Sequence, residues 1–258
     1  MQLCCCSSCL WCSKLEDALA ATREAGFDFL ELLAIPDCHH VDLRETTADA
    51  LGAKLRDYGL GLAALCVGPM ATTSLAAMRD SLAYIERAID AAEALDCQRV
   101  VVAGSPRDRA DWDLTLAAYR RLDRFAQGRP ALICLVNCHD TQLEIPEDFE
   151  FIFFAHDSPR IRMCADNGHF LRVGISPQEV VRRFGDHIQH VRLGDLVHDQ
   201  SVALGAGEAD LAGFCKALAM RGYGGFLSVA VEISGRDATI AELRASREYA
   251  LRLIGAQA

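Results

Sequence analysis

The sequence predicts an α/β protein built as a single (β/α)8 TIM barrel. Three observations lead there. Short apolar runs alternate with longer amphipathic stretches about eight times along 258 residues, the rhythm of repeated βα units. No Ser/Gly/Pro-rich linker interrupts the series, so one domain covers 1–258. The competing open, doubly wound sheet would carry G-x-G-x-x-G after a strand, and no strand here is followed by one. The nearest approach, LGAGEAD at 204–210, follows a loop and offers only two glycines.

The elements follow in order. Strands are expected at 2–6 (QLCCC), 28–33 (DFLELL), 60–66 (LGLAALC), 98–104 (QRVVVAG), 130–136 (PALICLV), 160–166 (RIRMCAD), 188–193 (IQHVRL) and 226–231 (FLSVAV). Ser13 and Glu16 form the pattern of a capping box ahead of the first helix. Thr47 or Asp49 opens a second helix, and Gly59 ends it. The longest helical pattern, 75–95, places Leu75, Met78, Leu82, Ile85 and Ile89 at spacings of three and four. Asp111, Pro146, Ser176 and Asp210 mark further helix entries, and the last helix runs from about 237 to 254.

Composition narrows the function classes. A net charge of −10 argues against nucleic acid as the main partner, because phosphate binding needs a basic face. No apolar run approaches the roughly 18 residues of a membrane span, and the amino terminus lacks the pattern of a signal peptide. A cytoplasmic protein is expected, in which the twelve cysteines are mostly reduced thiols.

A barrel carries its chemistry at the carboxyl ends of its strands. Four of the later ends are polar: LVNCHDT (135–141), CADNGHF (164–170), HVRLGD (190–195) and SVAVEIS (228–234). With AGFDFLEL (25–32), LGAGEAD and GYGGFLSV (222–229), they resemble the xylose-isomerase-like TIM barrels over nearly the whole chain. That superfamily holds sugar isomerases and epimerases, inosose dehydratases and the endonuclease IV branch. The resemblance implies a barrel fold and a small, sugar-like substrate. It also implies one divalent metal held by Glu, Asp, His and Glu from strands five to eight, at places that fall here on Val136, Asp166, Arg192 and Ala230. Only Asp166 keeps a ligand. Asp166-Asn167-Gly168-His169 keeps the D-x-G-H pattern, and Asp195 keeps the Asp that closes the seventh-strand motif.

One carboxylate does not replace a four-donor cage, so the expectation is no bound cofactor, with Mn or Zn on Asp166 the exception. Ser228, Ala230 and Glu232 share a strand face, which lets Glu232 supply a carboxylate from the rim. Arg192 is expected to stand beside Asp166 and Glu232 in place of the metal's charge and to stabilise an enediolate, with Glu232 or His169 moving the proton. Glu31, His139, His190 and Asp195 are expected to touch substrate. Asn137 has the opposite parity to Val136 and is expected to face the helices if the strand runs that far. The loop pair His39-His40 reads as solvated. The activity expected is that of a sugar isomerase or epimerase, a dehydrating lyase sharing the same intermediate. The alternative is a non-catalytic ligand-binding or partner-subunit member. An abasic-site endonuclease is excluded by the missing metal cluster and basic face. Homo-oligomers through the helical exterior fit either reading.

The opening MQLCCCSSCLWC sets Cys6, Cys9 and Cys12 at C-x-x-C-x-x-C spacing. A thiolate cluster joined by Cys38, Cys66 or Cys138 is one reading. Core packing plus unpaired loop thiols is the favoured one, since cysteine is also scattered to positions such as Cys97 and Cys215.

Overall fold

The computed structural model describes residues 1–38 and 40–256. Its strands are β1 (Gln2–Cys6), β2 (Phe29–Leu33), β3 (Gly61–Pro69), β4 (Arg99–Ala103), β5 (Leu132–Val136), β6 (Ile161–Asp166), β7 (Ile188–Leu193), a short hairpin β8 (Asp195–Val197) and β9 (Gln200–Val202), and β10 (Phe226–Val229). The eight long-range strands pair in parallel in the ring order β1-β10-β7-β6-β5-β4-β3-β2, and β1 pairs with β2 to close it. Nine α-helices among the described residues surround the ring: α1 (Leu15–Glu24), α2 (Ala48–Asp57), α3 (Leu75–Ala94), α4 (Trp112–Ala126), α5 (Pro146–Ala155), α6 (Asn167–Arg172), α7 (Pro177–Phe184), α8 (Leu211–Met220) and α9 (Ile240–Gly255).

All eight expected strands form, β1 and β7 with the expected bounds and the other six with shifted ends. β3 runs on to Pro69, and β10 stops at Val229, so Glu232 lies on the segment after the strand. The helix caps follow local chemistry. Thr47, Ser74, Asp111, Ser176 and Asp210 each accept a backbone N–H from the first turn. Ser13 does not cap α1. Lys14 holds that position without a side-chain bond, because the Ser13 hydroxyl donates to the Asp237 carboxylate instead. The last helix starts at Ile240 rather than 237, behind a capping box of Thr239 and Glu242.

Strand alternation divides the core in two. The larger part lies between ring and helices and contains Phe149, which meets Phe153, Phe170 and Phe184 at ring separations of 6.1, 6.5 and 6.4 Å. Truncating such a buried Phe costs about 3–5 kcal/mol. The smaller part fills the ring with Leu33, Ala64, Cys66, Val101, Cys134, Val136 and Cys164. Small residues suit this space because charged side chains share it.

Candidate active site at the barrel mouth

Inside the ring, β2 and β7 project three polar side chains toward one another. Arg192 donates from Nε and Nη2 to Glu31 Oε1 at 2.9 and 2.5 Å, and Nη2 also reaches Cys66 Sγ at 3.1 Å. His190 Nε2 lies 2.9 Å from Glu31 Oε2. Glu31 offers only lone pairs there, so Nε2 is the donor. Glu31 and His190 are fully buried. Burial pushes the Glu31 carboxyl up, but Arg192 and then His190 more than offset this and hold it well below the usual carboxylate range.

This geometry corrects three expectations. Arg192 and Asp166 are register partners in the sheet, yet the long guanidinium side chain turns inward to Glu31 and does not pair with Asp166. Its charge is neutralised below the mouth. Glu31 holds Arg192, His190 holds Glu31, and neither has accessible surface with which to touch substrate.

Asp195 needs a fourth correction. Its carboxylate accepts the backbone N–H groups of Leu196, Gly205, Gly207 and Ala209 at 2.8–3.0 Å and is 1 % exposed. Gly207 is required here, because a Cβ would stand 2.2 Å from Asp195 Oδ1. Asp195 therefore shapes the loop that follows the hairpin, and no lone pair is left for a substrate.

The remaining candidates gather at the rim. Asp166 closes β6 and caps α6, accepting the His169 N–H at 3.1 Å. His169 Nε2 lies 4.0 Å from Asp166 Oδ2, and His169 Nδ1 is 3.0 Å from His139 Nδ1. Asp166, His169 and Glu232 line one narrow cleft with Arg172, Gly194, Leu196, Ser201 and Ala230. Its volume is ≈ 20 Å³, room for about one water molecule. Glu232 is half-buried, and its carboxylate makes no hydrogen bond or ion pair with the described residues.

Two asparagines fix this rim. Asn137 donates to the Asp166 carbonyl and accepts from the Asp166 N–H, at 2.9 and 2.8 Å. Asn167 does the same for Gly194, at 2.8 Å each way. Asn137 thus reaches the neighbouring strand end rather than the helices. Each amide stands one residue past its strand end, and that repeated position was the available signal. Cys138, expected only as a possible member of a thiolate cluster, stands beside His139 and His169, and Arg172, which the sequence reading did not single out, lines the cleft.

The implied metal cage does not fit these residues. Val136 is part of the apolar cluster inside the ring, Ala230 has no donor side chain, and Arg192 brings a positive charge. A hard divalent ion needs several oxygen or nitrogen donors, and these four positions offer one carboxylate.

The opening cysteines do not converge on a cluster. The Cys9 thiol donates to the Val229 carbonyl at 3.3 Å and accepts the Val231 N–H at 3.0 Å, tying the first loop to the end of β10. Cys12 is exposed, and Cys4, Cys5 and Cys6 are buried in the first strand. All twelve cysteines are free thiols. His40 is not solvated: its ring bonds Ser7 Oγ at 3.1 Å and the Leu10 carbonyl at 2.9 Å. His39 lies outside the described residues. No helix among them is long and apolar enough to cross a membrane.

The comparisons agree with this architecture. A family model described as xylose isomerase-like TIM barrel matches residues 19–252. A search of curated proteins finds no match. Among solved structures, an L-ribulose 3-epimerase superposes with a TM-score of 0.81 at 20 % identity, covering 100 % of this chain and 96 % of that one. A D-tagatose 3-epimerase-like protein gives 0.82 at 19 % identity, covering 100 % and 98 %. A 3-keto-D-glucoside 4-epimerase from E. coli gives 0.76 at 17 % identity, covering 99 % of each chain. At these identities the likeness is one of fold.

Proposed function

The chain belongs to the xylose isomerase-like TIM barrel family, and from that premise we propose that it is an isomerase- or epimerase-type enzyme acting on a small polyhydroxy carbonyl compound. The observation that carries this reading is the shared cleft of Glu232, Asp166 and His169 at the carboxyl ends of the strands. The sugar epimerases among the structures of like fold support the substrate class.

Glu232 is the base. A carboxylate with no bound partner is free to take a proton from the carbon next to a carbonyl. His169 donates to the oxygen on which charge develops, and Asp166 sets its position by capping α6 and facing its ring. Returning the proton to the neighbouring carbon gives isomerisation, returning it to the opposite face gives epimerisation, and loss of a hydroxyl gives dehydration. Arg192 is a structural cation in this scheme. The cleft must widen for a sugar to enter, and Leu196 and Ser201 of the hairpin form the wall that would move.

The test is proton exchange. Ketopentoses and ketohexoses are incubated with the protein in D2O and followed by NMR. Deuterium entering next to the carbonyl with the wild type, and at least 100-fold more slowly with Glu232→Gln, supports the enzyme. Equal rates in both proteins would refute the base assignment.

A second reading is a non-catalytic ligand-binding or partner subunit. It is favoured by Arg192 being neutralised by Glu31 and by the one-water cleft. Ligand-dependent thermal stabilisation without any exchange would select it.

A further inference from the structure

The geometry points to a metal site of a different kind from the family's cage: Cys138, His139 and His169 hold one borderline-soft divalent ion, with Zn²⁺ as the natural occupant. One donor atom from each residue lies within 4.8 Å of the other two. Zn²⁺ with bonds of 2.0–2.1 Å to nitrogen and 2.3 Å to sulfur sets tetrahedral N···N and N···S separations of about 3.3 and 3.6 Å. The two Nδ1 atoms already stand 3.0 Å apart. Bringing the sulfur, at most 4.8 Å from the nitrogens, to about 3.6 Å takes a shift of about 1.2 Å or less. Thiolate plus imidazole selects zinc-like ions over magnesium or calcium.

Three further observations point to a cation here. Behind His169, Asp166 Oδ2 lies 4.0 Å from Nε2. With Nδ1 on the ion, Nε2–H faces that carboxylate, the usual arrangement behind a metal-bound histidine, and in that state His169 does not donate to a substrate. The backbone holds two of the donors in place. Cys138 N–H donates to the Leu143 carbonyl at 2.8 Å, Thr141 Oγ1 donates to the Cys138 carbonyl at 2.8 Å, and the His169 N–H is fixed on Asp166. The surrounding field is negative. The carboxylates of Asp166 and Glu232 line the cleft beside His169, where they attract a positive ion. Three protein donors leave a fourth position open, as in zinc sites that bind small molecules. Binding replaces the thiol proton by the metal–sulfur bond, so one proton leaves per ion and nothing is oxidised or reduced.

The experiment uses the full chain, stripped with a chelator and kept reduced with a thiol-free phosphine. Co²⁺ is titrated in as a coloured stand-in, and Zn²⁺ is then added. The expected result is one Co²⁺ per chain with a sulfur-to-cobalt charge-transfer band and the intense visible bands of tetrahedral cobalt, all erased by one equivalent of Zn²⁺. Cys138→Ser abolishes the sulfur band, while His139→Ala and His169→Ala each weaken binding at least 10-fold. Thermal unfolding of each stripped variant verifies that it is folded. A sulfur band that survives in Cys138→Ser places the ion on another thiol and overturns the site. Failure of the wild type to bind one Co²⁺ also overturns it. Because the readout is ion binding, an absence of sugar turnover leaves the result untouched.

Discussion

Arg192→Met tests the interior of the barrel most directly. The substitution keeps a long side chain but removes the fork that bonds Glu31 Oε1 twice. Glu31 is then a fully buried carboxylate whose one remaining partner is His190. Removing one member of a buried ion pair costs about 3–5 kcal/mol. In a chain of this size that lowers Tm by about 6–20 °C, at about 2–4 °C per kcal/mol.

The pH dependence has a definite sign. In the native protein the Glu31 carboxyl lies below its ordinary value, which is about 4.3 when unfolded. Its stabilising share is therefore fully present above about pH 4.3 and is lost as the pH falls toward the depressed folded value. Without Arg192, burial prevails and raises the carboxyl, so acid protonates it early and relieves the variant. The gap between the two proteins is widest at pH 7 and narrows on acidification. The double variant Glu31→Leu/Arg192→Met, which leaves neither charge uncompensated, recovers most of the loss. Urea unfolding at several pH values between 4 and 8 measures all of this. A gap under about 1 kcal/mol at pH 7, or a gap that does not change with pH, would refute the assignment of a buried charge pair.

Other substitutions separate scaffold from chemistry. Asp195→Ala removes the acceptor for four backbone N–H groups; it is expected to cost at least about 3 kcal/mol and to speed hydrogen exchange at Gly205, Gly207 and Ala209, and unchanged protection there would contradict the loop assignment. Asn167→Ala strands the buried Gly194 N–H and C=O, an expected loss of about 1–3 kcal/mol in denaturant unfolding. Glu232→Gln, which breaks no described contact, should leave stability within about 0.5 kcal/mol while stopping solvent exchange into substrate. In thiol titration of the native protein, Cys12 reacts first, being the one exposed cysteine, and Cys12→Ser removes that fast phase.

The barrel was legible because each apolar run had strand length and each intervening stretch had helical spacing. Local signals failed where a distant residue intervened. Asp237, far along the chain, takes the Ser13 hydroxyl and empties the predicted capping box. The helix α6 was hidden because its first turn follows directly on β6, with Asp166 ending one element and capping the next. At the mouth, alternation correctly set Arg192 and His190 inward. It carried no information on how far across the ring a guanidinium reaches, so the partner became Asp166 in place of Glu31. The proximity of His139 to His169 was equally invisible, since it depends on a loop and a short helix meeting beyond the strand ends.

The Glu31–Arg192 link also bears on how the barrel assembles. Strands β2 and β7 stand on either side of the seam where the first strand, β1, meets the last, β10. The linked residues are 161 positions apart, so the contact is expected to form late, once the strands between them have condensed. Such a late contact contributes little to the folding transition state. Its stabilisation therefore resides in the unfolding rate. The pair acts as a latch on the closed ring, prolonging the life of a barrel that other contacts have built.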